Sequence, residues 1–352
     1  MIKIPMEVFS HTNEAAVVAR GGRLIYANGA AKELLGADCE GKCLSALLGP
    51  DISEAQASSF VAGYTRGGRQ YSVRATRQDS GQFFFFSEQE ARPTVLNEAA
   101  LYSLRSNLMT MNLALELCRN KAENMGNQEL LDGLRELCRG QYRMSRLSSN
   151  LSMLNEEKNG EMSFQSSTVD IGRLCMECVE CVESLTENIE FRVAAEEGIL
   201  LTADAALVKK MLLNLISNCL LHARGLSRIS VNVINSPDFV QISVSDDGCG
   251  IAGEQLYRVF DRYRHMFDVT EMDGGAGIGL SVVRLIAQRH GGTLLIESRE
   301  GSGTTARVSL KKIRSTTMVL HSGPEEHFDV ATALIELSDC LDSRYYGEKF
   351  MD

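Results

Sequence analysis

No stretch of the 352-residue sequence stays apolar for the roughly 20 residues that a membrane-spanning helix requires. The opening residues, Met1 to Pro5, lack the long apolar stretch of a secretory signal peptide. Ten cysteines are too sparse to form a disulfide scaffold in a chain of this length. These absences predict a cytoplasmic protein in a reducing compartment, with no direct insertion into a membrane.

Positive charge is also scarce. The formal net charge is −10, and no local basic patch extends beyond short clusters such as Lys209-Lys210 and Lys311-Lys312. An acidic surface repels nucleic acid and acidic membranes, so we expect no nucleic-acid partner. With 44% apolar and 23% charged residues, the composition is that of a soluble globular protein, and the length favours two or three domains.

Residues 1–90 have the pattern of a small α/β unit. Two strand-like segments meet at Gly21-Gly22, which is a hairpin signal. A helix is predicted over residues 28–35, and Gly36 ends it because glycine readily adopts a left-handed cap conformation. Further on, the four aromatics Phe83 to Phe86 favour a buried strand.

Residues 91–158 predict an antiparallel helical hairpin. Apolar residues step by three and four along each helix, and Gly126-Asn127 separates the two. The first seam contains Leu104, Leu108, Met111, Leu115 and Cys118, and the second contains Leu130, Leu134, Leu137, Met144, Leu151 and Leu154. Because two amphipathic helices cannot bury both seams alone, we expect a homodimer that forms a four-helix bundle through this region.

Residues 162–314 alternate helical and strand patterns, which predicts an α/β sandwich with a mixed sheet covered by helices on one face. The remaining tail, residues 315–352, contains an apolar run at residues 330–337 that predicts either a helix or a strand. The sequence assigns no role to this tail. The predicted fold class is therefore α/β multidomain.

Polar residues cluster at two places in the last domain. Asn214, Asn218 and His222 lie four residues apart on one face of a leucine-rich helix, and amide oxygens there suit Mg²⁺. Asp246 ends a strand and precedes Gly248 and Gly250. A carboxylate in that place can accept a hydrogen bond from an exocyclic amine while the backbone passes close to a flat ring.

Two glycine-rich motifs follow. Gly275, Gly277 and Gly279 lead directly into a helix, whose free amides and dipole suit phosphate oxygens. A Rossmann loop is the rival interpretation, but that loop sits early in a βαβ unit with an acidic residue about 20 positions on. The second motif, residues 301–305, enters the last strand and offers the hydroxyl of Thr304 to a base edge.

In this order the four motifs resemble those of the ATPase superfamily that contains DNA gyrase, a heat-shock chaperone, the histidine kinases and MutL. Residues 259–263 are similar to the phenylalanine box of the kinase branch. The resemblance implies a Bergerat-type domain that binds ATP and Mg²⁺, with Asp246 at adenine N6, Asn218 on Mg²⁺ and residues 264–273 as a lid. The implied ATP-binding residues are Asn214, Asn218, His222, Asp246, Gly248, Gly250, Gly275, Gly277, Gly279, Leu280 and Thr304.

The first two domains are also similar to parts of sensor histidine kinases. Residues 22–36 resemble the opening of a PAS sensor domain, and the hairpin resembles the dimerisation domain of the kinases. That domain normally carries the phosphoacceptor histidine in "H-E-L-R-T-P-L", where this chain has Tyr102 and Ser103 in place of the histidine and the acid. None of the six histidines lies in the hairpin. Tyrosine titrates about three pKa units above histidine, which corresponds to roughly 4 kcal/mol if a phenolate must form first.

A second departure is Leu221, at a position where many relatives place a lysine toward the phosphates. The sequence therefore predicts an ATP-binding signal transducer of the sensor histidine kinase family, without autophosphorylation at the usual position. It leans towards a protein kinase of histidine kinase type, with a response regulator or another signalling protein as partner. The alternative is an inactive pseudokinase that acts as a nucleotide-dependent switch.

Cys175, Cys178 and Cys181 are spaced three residues apart, which favours a buried helix face over a metal site.

Overall fold

The computed structural model describes residues 14–49, 52–53, 59–67, 69–78, 81–88, 98–252, 278–312 and 329–346. The strands are β1 Ala15–Arg20, β2 Arg23–Ala27, β3 Ser59–Arg66, β4 Arg69–Gln78, β5 Gly81–Glu88, β6 Ser167–Asp170, β7 Glu190–Ala194, β8 Leu200–Ala203, β9 Arg228–Asn235, β10 Phe239–Asp246, β11 Leu294–Ser298 and β12 Thr304–Lys311. The α-helices are α1 Gly29–Leu35, α2 Leu44–Leu48, α3 Glu98–Met125, α4 Gln128–Asn159, α5 Ile171–Ser184, α6 Ala205–His222, α7 Gly279–Arg289 and α8 Val330–Glu336. No helix in these ranges is long and apolar enough to cross a membrane.

The N-terminal unit is an antiparallel sheet in the order β2-β1-β5-β4-β3, with α1 packed on β1. Asn28 joins the two: its Oδ1 accepts hydrogen bonds from the backbone of Ala31 at 2.9 Å and of Ala16 at 3.0 Å. This one buried side chain therefore caps the helix and fastens it to the first strand. The helix ends at Gly36, which has a φ of 107°, as the sequence predicted.

The second unit consists of the two long helices α3 and α4, which pack against each other and which we call the helical hairpin. Gly126 takes a φ of +62°, and the side chain of Asn127 caps α4 by accepting from the backbone N–H of Leu130 at 3.1 Å. Gln141, the polar residue in the seam, is buried and donates to the carbonyl of Leu108 at 3.3 Å. The chain thus breaks between the helices where glycine and asparagine predicted it.

Much of the hairpin's apolar surface is uncovered within one chain. Leu108 and Leu134 of the predicted seams are buried, but several other large apolar side chains are exposed. Those exposed in the hairpin are Tyr102, Met109, Met111, Leu113, Leu117, Met125, Leu130, Leu137 and Met144. Exposed large apolar side chains in this number are typical of a helix pair that contacts a partner.

The third unit holds a mixed sheet in the order β11-β12-β10-β9-β7, in which only the β7–β9 pair is parallel among the strands described. Helices α5, α6 and α7 pack against this sheet, and α6 is buried for most of its length. Strands β6 and β8 form a separate two-stranded sheet. The mixed sheet with packed helices agrees with the α/β domain that the sequence predicted.

The N-terminal and C-terminal sheets are continuous, which the sequence did not predict. Strand β3 pairs antiparallel with β11, so that Ala62 faces Leu295 and Val61 faces Ile296. Ten strands therefore form one sheet. Val61 packs in the hydrophobic core of the third unit, whereas Leu295 packs in the core of the first, so the cores interlock across this pair.

The C-terminal segment, defined here as residues 329–346, is docked on α4, α5 and α6. It contains α8 and a 3-10 turn at Ser343–Tyr346. Asp329 caps α8 by accepting from the backbone of Ala331 at 2.9 Å. Leu334, Leu337 and Tyr346 are buried in the same core as the third unit. The apolar run that allowed either element is therefore a helix.

Candidate nucleotide-binding site

Asp246 lies at the end of β10, between β9 and β12. Its Oδ1 accepts hydrogen bonds from the backbone N–H of Gly248 at 3.0 Å and of Thr304 at 3.2 Å. Burial raises the pKa of Asp246, while these two donors oppose that shift. The structure therefore brings together three of the predicted site residues around one half-buried carboxyl group.

The loop after Asp246 passes so close to its neighbours that glycine is required. A Cβ on Gly248 would lie 2.5 Å from the Cβ of Ala223, at the end of α6. Gly250 has a φ of +63°, and a Cβ there would lie 2.1 Å from the carbonyl oxygen of Arg299. Both predicted glycines thus allow the backbone to pack between α6 and the β11–β12 turn.

Asp247 and Ser298 organise this loop, and sequence reasoning missed both. Asp247 Oδ1 accepts from the backbone of Ser227 at 2.8 Å and of Arg228 at 2.9 Å. The Ser227 hydroxyl and backbone are the main causes that lower the pKa of Asp247 to about 2. Ser298 Oγ donates to the carbonyl of Gly303 at 3.0 Å and accepts from Ile251 N at 2.8 Å. In the sequence, the acidic character of Asp247 and its position next to Asp246 were the only signals of this role.

The hydroxyl that was expected to face the base is engaged within the turn. Thr304 Oγ1 lies 2.9 Å from Ser298 Oγ, and the Thr304 backbone N–H donates to Asp246. Thr304 therefore contacts Asp246 through its backbone N–H, whereas the hydroxyl that was predicted for the base edge bonds to Ser298.

The three polar residues of α6 lie in different surroundings. His222 is exposed at the last turn of the helix, and Asn218 is half-buried. The amide nitrogen of Asn218 is buried and has no hydrogen-bond partner among the residues described. An unpaired buried donor is costly, and a phosphate oxygen is a suitable acceptor for it. This orphaned amide is consistent with a magnesium–nucleotide group beside Asn218.

Asn214, one turn earlier, is fully buried and faces other parts of the chain. Its Nδ2 donates to Glu336 Oε2 at 2.9 Å and to the carbonyl of Lys210 at 2.8 Å. Its Oδ1 accepts from Arg146 Nη2 at 3.0 Å. The partner that the sequence required for this amide is therefore an arginine of the hairpin together with a glutamate of the C-terminal segment.

Helix α7 begins at Gly279 and Leu280, and Ile278, the described residue before it, makes no side-chain capping hydrogen bond. A Cβ on Gly279 would lie 2.9 Å from Asn214 Oδ1, so α6 and α7 meet at this point. The first amides of any α-helix lack partners within the helix, so the start of this eleven-residue helix suits phosphate oxygens. Gly275 and Gly277, the predicted lid at residues 264–273 and the phenylalanine box at residues 259–263 lie outside the described residues.

Tyr102 lies on α3 with 76% of its surface exposed. Leu221 is half-buried near the end of α6. Cys175 and Cys178 are buried on α5, and burial raises the pKa of Cys175 to about 12, so that its thiol stays protonated. Within the described ranges no group of three or more histidine, cysteine, aspartate or glutamate side chains is arranged to hold a metal ion. These cysteines serve as the apolar helix face that their spacing favoured.

Residues 203–314 match the family of histidine kinase-, DNA gyrase B- and HSP90-like ATPases. This range includes α6, the Asp246 loop and the start of α7. The C-terminal unit is therefore an ATPase domain of that family.

Three curated relatives with which the chain shares sequence are a sensor protein and two histidine kinases. The chain is 31% identical to the sensor protein IrlS of Burkholderia pseudomallei over 46% of its length and 35% of the relative's. It is 37% identical to the histidine protein kinase DivJ of Caulobacter vibrioides over 37% of its length and 22% of the relative's. The sensor histidine kinase WalK of Bacillus subtilis is 29% identical over 63% of the chain and 37% of the relative. Over the matched regions the chain is similar to these sensor proteins and histidine kinases, and it spans between 22% and 37% of their lengths.

Solved structures of histidine kinases also align with the chain. The catalytic domain of histidine kinase ThkA is 27% identical over 43% of this chain and 97% of that one, with a TM-score of 0.36. A structure of ThkA in complex with the response regulator protein TrrA covers 88% of this chain and 99% of that one, at 20% identity and a TM-score of 0.37.

Proposed function

We propose that this chain is an ATP-binding signal transducer that takes part in phosphoryl signalling of the two-component type. The proposal rests on two features of one domain. The carboxyl group of Asp246 is held by the backbone of Gly248 and Thr304, and the amide nitrogen of Asn218 is buried without a partner among the residues described. Asp246 accepts the exocyclic amine of adenine. Asn218 and the start of α7 receive the phosphate end, in agreement with the family match.

Magnesium, when bound, neutralises phosphate charge and positions the terminal phosphoryl group. Asn218 supplies an amide ligand for it, and the glycine-rich residues Gly275 and Gly277 line the phosphates in this proposal. His222, exposed at the last turn of α6, lies at the edge of the site. Leu221 supplies no charge to the phosphates, which weakens their binding relative to kinases with a lysine there.

The hairpin is proposed to dimerise, and the N-terminal unit is proposed to be a PAS-like sensor. The exposed apolar side chains of α3 and α4 support the first proposal, because a second copy would cover them in a four-helix bundle. The strand pair followed by the Asn28-capped helix supports the second. Under this proposal the protein works in the cytoplasm, and a response regulator or another signalling protein receives its signal.

The alternative function is a pseudokinase that uses ATP only to change its shape and its partner affinity. Tyr102 favours this alternative, because it is a strongly exposed phenol and Ser103 stands where the kinase motif has an acid. Both functions share the nucleotide site, so the transfer step distinguishes them.

Labelled ATP tests the two against each other. The full chain is incubated with γ-labelled ATP and Mg²⁺, alone and with candidate partners, and the product is treated with acid and with alkali. Retained label indicates transfer, and its acid or alkali stability identifies the type of residue. Label that disappears in the Tyr102→Phe variant would assign transfer to that phenol. ATP binding without any incorporation would reject the transfer function and leave the switch.

A further inference from the structure

The C-terminal segment closes a buried network of charges between the hairpin and the ATPase domain. Glu336 of α8 is 3% exposed. Its carboxylate forms ion pairs with Lys210 of α6 and with Arg146 of α4, the latter at 3.4 Å. One acidic residue of the segment therefore joins a helix of each neighbouring unit.

Arg146 is the centre of this network. Its Nη1 donates to Asp339 Oδ2 at 2.8 Å and to Ser217 Oγ at 3.2 Å, while its Nη2 reaches Asn214. A guanidinium group presents several donors in a fixed fork, so it can hold three partners at once. Removing either acidic partner leaves the positive charges of Arg146 and Lys210 only partly compensated, which destabilises the docked arrangement.

The remainder of the segment is fastened along α4. The guanidinium groups of Arg139 and Arg143 donate to the carbonyl of Ser338, at 3.3 and 3.1 Å. This carbonyl follows the end of α8, where the helix dipole favours positive charge. Tyr346 packs edge-on against Tyr142 of α4, with ring centroids 5.1 Å apart. The segment thus follows one face of α4 through charge, hydrogen bonds and an aromatic contact.

The network also lies beside the elements that are proposed to bind phosphates. Arg146 Nη2 lies 3.9 Å from where a Cβ of Gly279 would be, at the start of α7. The guanidinium of Arg146 carries a positive charge there, and Glu336 and Asp339 of the segment neutralise it. With the segment released, the guanidinium of Arg146 would lie beside this region without its two acidic partners.

We propose that the C-terminal segment is an intramolecular clamp. It holds the ATPase domain against α4 of the hairpin and neutralises Arg146 beside the start of α7. Its release frees the domain to move relative to the hairpin and makes the site more favourable for a polyanion. The restraint does not depend on the proposed function, whereas the effect on nucleotide affinity rests on it.

Two variants of the full chain open the clamp without truncation. Glu336→Gln removes the buried carboxylate, and Asp339→Asn removes the less buried one, which is the safer change for folding. Glu187→Gln is the matched control. Glu187 forms an exposed ion pair with Arg344 of the segment, with Oε1 and Nη2 2.8 Å apart, and this pair does not involve Arg146. Each of these changes removes one negative charge.

Amide hydrogen exchange without nucleotide is the first measurement. Both clamp variants should speed exchange in residues 139–146 and 205–217 by roughly tenfold or more, and the control should not. If Glu336→Gln speeds exchange throughout the domain, Asp339→Asn decides, because a local effect in that variant supports the clamp. Exchange that matches the unmodified chain in both variants would overturn the proposal.

Calorimetry with ATP and Mg²⁺ is the second measurement. At low salt the clamp variants should bind ATP several-fold more tightly than the unmodified chain, with the difference shrinking as salt is added. Faster exchange with unchanged affinity would overturn the electrostatic part of the proposal. If the unmodified chain and both variants all fail to bind ATP, the proposed function fails, and the exchange measurement still tests the clamp.

Discussion

Replacing Asp246 with asparagine tests the base-recognition site most directly. Both backbone donors, from Gly248 and Thr304, reach the same oxygen, Oδ1. We therefore expect Oδ2 to receive the exocyclic amine of adenine. An asparagine offers only one oxygen, so one of its two orientations places its NH₂ against the base and the other places it against the backbone donors. Either orientation leaves donors facing each other.

The expected loss follows from the bond that is removed. A hydrogen bond to a charged group contributes about 1.5–3 kcal/mol, so Asp246→Asn should weaken ATP binding by roughly 10- to 150-fold. Folding should be affected little, because burial raises the pKa of Asp246 and the charged form is already disfavoured in the folded chain. Titration calorimetry with ATP and Mg²⁺ measures the affinity, and thermal unfolding checks the fold.

The neighbouring residue gives a matched control. Asp247→Asn removes a carboxylate from the same loop, but one that is exposed and bonded to Ser227 and Arg228. It should leave ATP affinity within about threefold of the unmodified chain. Because the pKa of Asp246 is raised, ATP affinity should also fall as the pH is lowered through that raised value. Equal affinity of the Asp246→Asn variant and the unmodified chain would refute the assignment of this carboxyl group.

Three further predictions concern folding and assembly. His290 is buried, and burial lowers its pKa. Its contribution to stability is therefore complete above the ordinary pKa near 6.5 and is lost as the pH falls through the lowered pKa. The melting temperature should drop over that pH window, and the drop should be smaller in the His290→Gln variant. Gly250→Ala should cost about 1–3 kcal/mol in denaturant unfolding, because of its positive φ and the carbonyl of Arg299. Leu113→Glu with Leu117→Glu should halve the molar mass measured by light scattering if the hairpin dimerises, and an unchanged mass would contradict that proposal.

Local structure was largely predictable because its signals are local. Gly36 ends α1, the Gly126-Asn127 pair separates α3 from α4, and Asn28 caps the start of α1. These residues act on neighbours within a few positions, so the sequence pattern contains the whole interaction. The Asp246 loop was predictable for the same reason, since its carboxyl group and its first backbone donor are two residues apart.

Long-range partners were not predictable from the pattern. The polar face of α6 required a partner for Asn214, but Arg146 lies 68 positions away and Glu336 lies 122 positions away. The tail was recognised by its apolar run, which says nothing of the buried charge at its end. The same holds for the pairing of β3 with β11, because any strand edge can accept many partners and only packing selects one.

The continuous sheet restricts how the first and third units can influence each other. Side chains alternate between the two faces of a strand, so sliding β3 along β11 by one residue would turn Val61 out of the core that it now fills. Small displacements between the units are therefore resisted, and intermediate offsets are unfavourable. A conformational change that passes between the two units through the β3–β11 pair would therefore switch between paired and separated strands, with no stable intermediate offset.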